Sequence, residues 1–222
     1  MALKDGSSFR LTALPVIVVA NVLSLAFVTL ILVWALHFQG GLGFKSENVQ
    51  QIFNIHPVLM IIGPIFIGGE AIMVYKTVSS TKKVQKLIHL VLHLVALVLG
   101  IVGITAVFKF QHDVRLGSLR TLHSWLGIAT ISLYGLQWLF ATFSFWFPRA
   151  ATTTRAKLLP WHWFAGMVIF LMAVMTAETG LNRLTVPGGS LDSPSLIVNF
   201  TGLLILLFAI TVSLSVILPR TH

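Results

Sequence analysis

Six long apolar runs decide what this chain can fold into. They cover roughly residues 13–36, 54–75, 84–108, 121–147, 160–180 and 195–218, and each reaches the length of about 20 residues with which an α-helix crosses the hydrocarbon core of a bilayer. Backbone polar groups in lipid have to be satisfied within the segment itself, so runs of this kind fold as helices. With 56% hydrophobic and 9% charged residues in 222, little is left for connections. The expected fold is an all-α integral membrane protein of six spans, a single domain over residues 1–222 with its core at about 54–180. No soluble catalytic domain fits in the loops. The first run follows a polar start, Met1 to Arg10; it is too long for a signal-peptide core and lacks a small-residue cleavage site, so it is expected to be retained.

Charge supplies the orientation, because cytoplasmic loops carry the excess of Lys and Arg. With the N-terminus inside, one face collects Lys4, Arg10, Lys76, Lys82, Lys83, Lys86, Arg149, Arg155, Lys157 and Arg220, and the other only Lys45, Lys109, Arg115, Arg120 and Arg183. Ten against five places both termini in the cytosol. The formal net charge of +9 is thus mainly a topology signal, and nucleic-acid binding is not expected. The absence of cysteine excludes disulfides, iron–sulfur clusters, thiolate zinc sites and covalent C-x-x-C-H haem attachment.

The spans differ in kind. The first, Leu11 to Leu36, and the last, Leu196 to Leu218, contain no charge. Pro15 falls in the first turn of its helix, where its missing N–H matters little, and Gly40 to Gly43 break the chain afterwards. Asn54-Ile55-His56-Pro57 reads as the start of the second helix, with Asn54 as cap and Pro57 in the first turn. The loop Val186 to Pro194 reads as an ordinary connection. Glycines interleaved through spans 2 to 5, among them Gly63, Gly69, Gly103, Gly127 and Gly180, let helices or a flat cofactor approach closely.

Histidine is the residue to follow, since ionisable groups inside a bilayer are costly and tend to be functional. With alternating helix directions, His56 and His123 share a depth near the outer face, and His89 and His162 share a depth near the inner face. A haem iron takes two axial imidazoles at one level from different helices, a requirement that both pairs match. His56 to Lys76 spans 20 residues, about 30 Å of helix, so the two levels lie toward opposite faces. His93 stands one turn deeper than His89 on the same helix face and is assigned to packing or to a hydrogen bond near the haem. His37 and His222 read as rim residues. Glu70 and Glu178 are membrane-embedded acids suited to tuning a haem, relaying protons or bonding between helices.

A set of motifs extends the pattern: His56-Pro57-Val58-Leu59-Met60, Gly69-Glu70-Ala71, Lys86-Leu87-Ile88-His89, Leu122-His123-Ser124-Trp125-Leu126-Gly127, Tyr134-Gly135-Leu136-Gln137-Trp138, Arg155-Ala156, Leu159-Pro160-Trp161-His162 and Thr176-Ala177-Glu178-Thr179-Gly180. In this order and spacing they resemble the cytochrome b561 family of transmembrane ascorbate-dependent oxidoreductases and ferrireductases over roughly residues 10–220, and the short chain is similar to plant members. The resemblance implies that spans 2 to 5 form a four-helix bundle with two non-covalent haems b. His56 with His123 would ligate the outer haem, and His89 with His162 the inner. It also implies that cytosolic ascorbate docks among Lys82, Lys86 and Arg155, that Lys76 meets a haem propionate, and that the protein forms a homodimer in lipid. Such a protein passes electrons to monodehydroascorbate or to ferric iron across the membrane. Where the family presents a histidine after the third span and an aromatic residue three before the outer ligand of the fourth, this chain has Gln111-His112 and Arg120. His112 and Arg120 are therefore the expected outer site, suited to an anionic acceptor such as monodehydroascorbate or a ferric chelate. A plant endomembrane such as the vacuolar membrane, or the plasma membrane, is the implied location. The alternative is a metal or proton transporter lined by the histidines and Glu70, without haem.

Overall fold

A computed structural model describes residues 12–185 and 192–220. Six helices long and apolar enough to cross a membrane run α1 (Ala13–Phe38), α2 (Val49–Thr77), α3 (Lys82–Asp113), α4 (Leu122–Trp146), α5 (Thr152–Leu181) and α6 (Ser193–Ile217). They alternate in direction. The Ala13 N–H donates to the Pro219 carbonyl and Arg220 donates to the Val78 carbonyl and the Ser79 hydroxyl. The start of α1, the end of α6 and the α2–α3 connection therefore share one end of the bundle. It is called the basic end below.

Helices α2, α3 and α5 are longer than their apolar runs by about two turns, because their ends continue as polar helix. The largest difference is at α5. It starts at Thr152, not near residue 160, and two polar turns carry it through Pro160. The start of α2 also differs. Asn48, not Asn54, caps it, accepting from the Gln50 N–H at 3.0 Å. Asn54 is fully buried and ties down the end of α1 by donating to the carbonyls of Gln39 and Gly41. Pro57 consequently lies inside the helix and Pro64 in a π-helical turn, Ile61–Ile67; a widened turn accommodates the carbonyls that proline leaves without a donor. Pro194 belongs to the first turn of α6, which Asp192 caps through the Ser195 N–H. Residues 186–191 of the 186–194 connection, like His222, lie outside the described residues.

The dry core sits between α1, α2, α5 and α6. Phe27, Ile31, Ile65, Met73, Ile205 and Phe208 are fully buried there, with Phe27 and Phe208 edge to face at 5.3 Å. Gly69 permits this packing: a methyl in its place would lie 2.5 Å from the Phe208 ring. Helices α3 and α4 present many exposed apolar side chains, among them Val98, Ile101, Trp125 and Leu136, as a lipid-facing surface does. Polar side chains and cavities gather where α2, α3, α4 and α5 face one another.

Candidate functional site

Two histidine pairs stand at the two ends of that four-helix region. His56 of α2 faces His123 of α4 with ring centres 6.0 Å apart and planes at 85°. His89 of α3 faces His162 of α5 at 6.2 Å and 74°. Bonds of about 2.0 Å from a metal to two facing imidazole nitrogens, plus about 1.1 Å from each nitrogen to its ring centre, give roughly 6.2 Å. Both gaps therefore fit one metal ion held axially between two rings.

Each ring is braced through Nδ1, which leaves Nε2 free to bind a metal. His56 Nδ1 lies 3.1 Å from the Gly103 carbonyl, His89 Nδ1 2.8 Å from the Ala71 carbonyl, and His123 Nδ1 3.0 Å from the Thr176 carbonyl. In each case a neighbouring helix supplies the acceptor. The fourth partner is a side chain: Gln137 Nε2 sits 2.8 Å from His162 Nδ1 and donates to the His162 carbonyl at 2.9 Å. Gly180 makes room for His123, since a Cβ there would come within 2.8 Å of the ring. A second coordination partner that fixes ring tautomer and orientation is the usual accompaniment of a metal-binding histidine.

The cavities at the two ends differ. The His56–His123 pair opens into about 670 Å3, walled by apolar groups such as Phe53, Met60, Pro64 and Ile131 and floored by Tyr134. Mostly apolar, with the histidine pair on its wall, it suits a macrocycle. The His89–His162 pair adjoins about 330 Å3 at the basic end, lined by Tyr75, Lys86, Phe145, Trp146, Thr152 and Arg155. His93 stands between the two. Its Nδ1 is 2.6 Å from the Tyr134 hydroxyl and its ring meets His89 edge-on at 4.4 Å. Among the described residues no group of three or more His, Asp or Glu side chains forms a metal cluster.

Several sequence-predicted residues are positioned otherwise than expected. Lys86 and Arg155 line the basic-end cavity, with Arg155 anchored to the Ala150 carbonyl and Thr152 hydroxyl. Lys82 is exposed on the first turn of α3 and does not line it. Lys76 turns away altogether and donates to the Leu218 carbonyl at the end of α6; the last carbonyls of a helix lack intrahelical donors, and an ammonium satisfies one. At the opposite end Arg120 and Gln111 line the large cavity. His112 does not: it is 90% exposed and lies 3.3 Å from Asp113, which also pairs with Lys109. Arg183 lines the cavity in its place. It was legible in principle, because Thr176, Gly180 and Arg183 follow the i, i+4, i+7 spacing of one helix face. Glu70 and Glu178 each keep one buried carboxyl oxygen without a hydrogen-bond partner among the described residues. His37 packs edge-on against Phe38 at the end of α1.

Comparison with known proteins supplies context for this geometry. The family model described as eukaryotic cytochrome b561 matches residues 55–187. A rice protein named probable ascorbate-specific transmembrane electron transporter 1 is 47% identical over 213 residues, 93% of this chain and 91% of its own length. Arabidopsis thaliana transmembrane ascorbate ferrireductase 1 is 44% identical over 93% of this chain and 88% of its own. A human transmembrane ascorbate-dependent reductase is 39% identical over 78% of this chain and 68% of its own.

Proposed function

Because this chain belongs to the eukaryotic cytochrome b561 family, whose members bind haem b, we propose that it holds two haems b, one between His56 and His123 and one between His89 and His162. The observation that carries this reading is the pair of 6.0 and 6.2 Å gaps at opposite ends of one bundle. The chain is a transmembrane ascorbate-dependent oxidoreductase, and the rival reading as a histidine-lined transporter falls with that membership. Haem held by these two imidazole pairs would supply a one-electron ferric/ferrous couple with no open coordination position, which would favour electron transfer over ligand chemistry.

The chain's own residues shape each end. We place the basic end in the cytosol, following the charge bias of its loops. Ascorbate is a monoanion at neutral pH, and Lys86 and Arg155 face it across the basic-end cavity. A charge pair at about 6 Å in an effective dielectric of about 20 is worth roughly 3 kcal/mol, less after salt screening. Exposed Lys82 adds long-range attraction. Oxidation of ascorbate there would release one electron, which a haem held by His89 and His162 would accept, and one proton to the solvent, leaving monodehydroascorbate. At the other end Arg120 and Arg183 favour an anionic acceptor, monodehydroascorbate or a ferric chelate.

The test is an absorption spectrum of the purified chain before and after ascorbate, with a pyridine haemochrome count. Two haems b per chain reduced by ascorbate are expected. A colourless protein, or one that ascorbate leaves oxidised, sinks the proposal.

A further inference from the structure

One turn of α4, Tyr134 to Trp138, bonds to its neighbours around the basic-end pair. Tyr134 pairs with His93, the Trp138 indole donates to the Leu90 carbonyl at 3.1 Å, and Gln137 meets both Nδ1 and the carbonyl of His162. Gln137 is the exceptional member. Three of the four paired rings turn Nδ1 to main-chain carbonyls, which can only accept. At His162 the partner is an amide whose nitrogen end donates and whose oxygen end accepts. A neutral imidazole bound to metal through Nε2 carries its proton on Nδ1 and has to donate it. The nitrogen end of Gln137, which faces Nδ1 and bonds the His162 carbonyl, cannot receive that proton; the oxygen end can, once the amide turns over and gives up its bond to that carbonyl.

We propose that Gln137 is the positioning residue of His162, that its amide oxygen accepts the Nδ1 proton when His162 ligates haem, and that it sets the potential of the basic-end haem independently of the other. The proposal rests on the ligation reading above. An acceptor on Nδ1 raises the basicity of a ligating imidazole and so stabilises ferric iron. A stronger acceptor at residue 137 lowers that haem's potential, and loss of the acceptor raises it. The other pair has main-chain carbonyls as its nearer Nδ1 acceptors, with the Thr179 hydroxyl at a longer 3.4 Å from His123 Nδ1, and no residue of α4 from Tyr134 to Trp138 among them, so that haem stays where it is.

The experiment is a potentiometric titration of the full haem-loaded chain, wild type, Gln137→Glu and Gln137→Leu, with haem counted in each sample. The His56→Ala variant, which keeps only the basic-end haem, assigns the couples. Gln137→Glu is expected to shift that couple's ferric-to-ferrous ratio at fixed potential about tenfold toward ferric, roughly 59 mV for one electron, and Gln137→Leu to shift it the opposite way. The second couple stays fixed. A wild-type count other than two haems per chain refutes the ligation reading. Two haems with neither couple moved, both moved together, or both variants shifting one couple in the same direction overturn the role of Gln137. If Gln137→Leu fails to load haem, the Gln137→Glu shift alone decides.

Discussion

At the His56–His123 end, both rings are braced by main-chain carbonyls and look into a large apolar cavity whose mouth carries two arginines. At the His89–His162 end, one brace is a side chain, the cavity is half as large, and its wall mixes Lys86 and Arg155 with Tyr75 and Trp146. The nearer Nδ1 partners are thus all backbone at one end, with the Thr179 hydroxyl at a longer 3.4 Å, and include an exchangeable side chain at 2.8 Å at the other. A backbone acceptor changes only if the helix moves, whereas a side-chain acceptor changes by a single substitution, so the basic end is where potential and donor selectivity are adjustable.

The sharpest way to break the comparison is to remove one ring from each end. His56→Ala and His89→Ala are each expected to halve the haem count, because the pairs share no residue and the retained pair keeps its braces. If either variant loses all haem, the two ends are not independent. Charge reversal is next in size. Lys86→Glu combined with Arg155→Glu should slow reduction by ascorbate more than tenfold in stopped-flow measurements while both haems remain, since two attractions of roughly 3 kcal/mol before screening become repulsions. The residual rate should rise with salt where the wild-type rate falls. Smaller still is Arg120→Ala. Reoxidation by an anionic ferric chelate should fall several-fold, with reduction by ascorbate unchanged and reoxidation by an uncharged acceptor unchanged. An equal effect on both acceptors would mean that Arg120 supports the cavity mouth and does not read charge.

Much of this arrangement was legible in the sequence, and what was not has physical causes. Six spans follow from lipid alone, and the level pairing of His56 with His123 and His89 with His162 follows from helix alternation and rise. Their ends were misread because hydropathy reports where lipid begins and not where a helix stops; polar turns such as Thr152–Leu159 and a buried polar anchor such as Asn54 carry no apolar signal. Gln137 and Tyr134 stood in the quoted motif, but their partners lie 25 and 41 residues away, and nothing local in a sequence tells a glutamine in a helix which neighbour it faces. His112 and Lys76 sit away from the cavities for the opposite reason. Each has a residue type and position suited to a ligand, yet a cheaper partner was at hand: Asp113 beside one, the Leu218 carbonyl beside the other.

Lys76 gives the smallest and cleanest contrast with Lys86, two lysines ten residues apart at the same end of the bundle. A lysine in the donor site should alter kinetics when neutralised, and a lysine on a helix end should alter stability. Lys76→Met is therefore expected to leave the ascorbate dependence of haem reduction unchanged. It should lower stability by about 1.5 kcal/mol, the scale of a hydrogen bond from a charged donor, which for a chain of this length is roughly 3–6 °C in the melting temperature. Lys86→Met should do the reverse, raising the ascorbate concentration needed for half-maximal rate several-fold at constant melting temperature, because Lys86 lines the cavity and has no hydrogen-bond partner among the described residues. Thermal melts in detergent beside stopped-flow titrations measure both quantities on the same samples. If Lys76→Met weakens ascorbate reduction as much as Lys86→Met does, the α6 carbonyl is not where its ammonium spends its time in the haem-loaded protein, and the basic-end site is wider than the cavity described here.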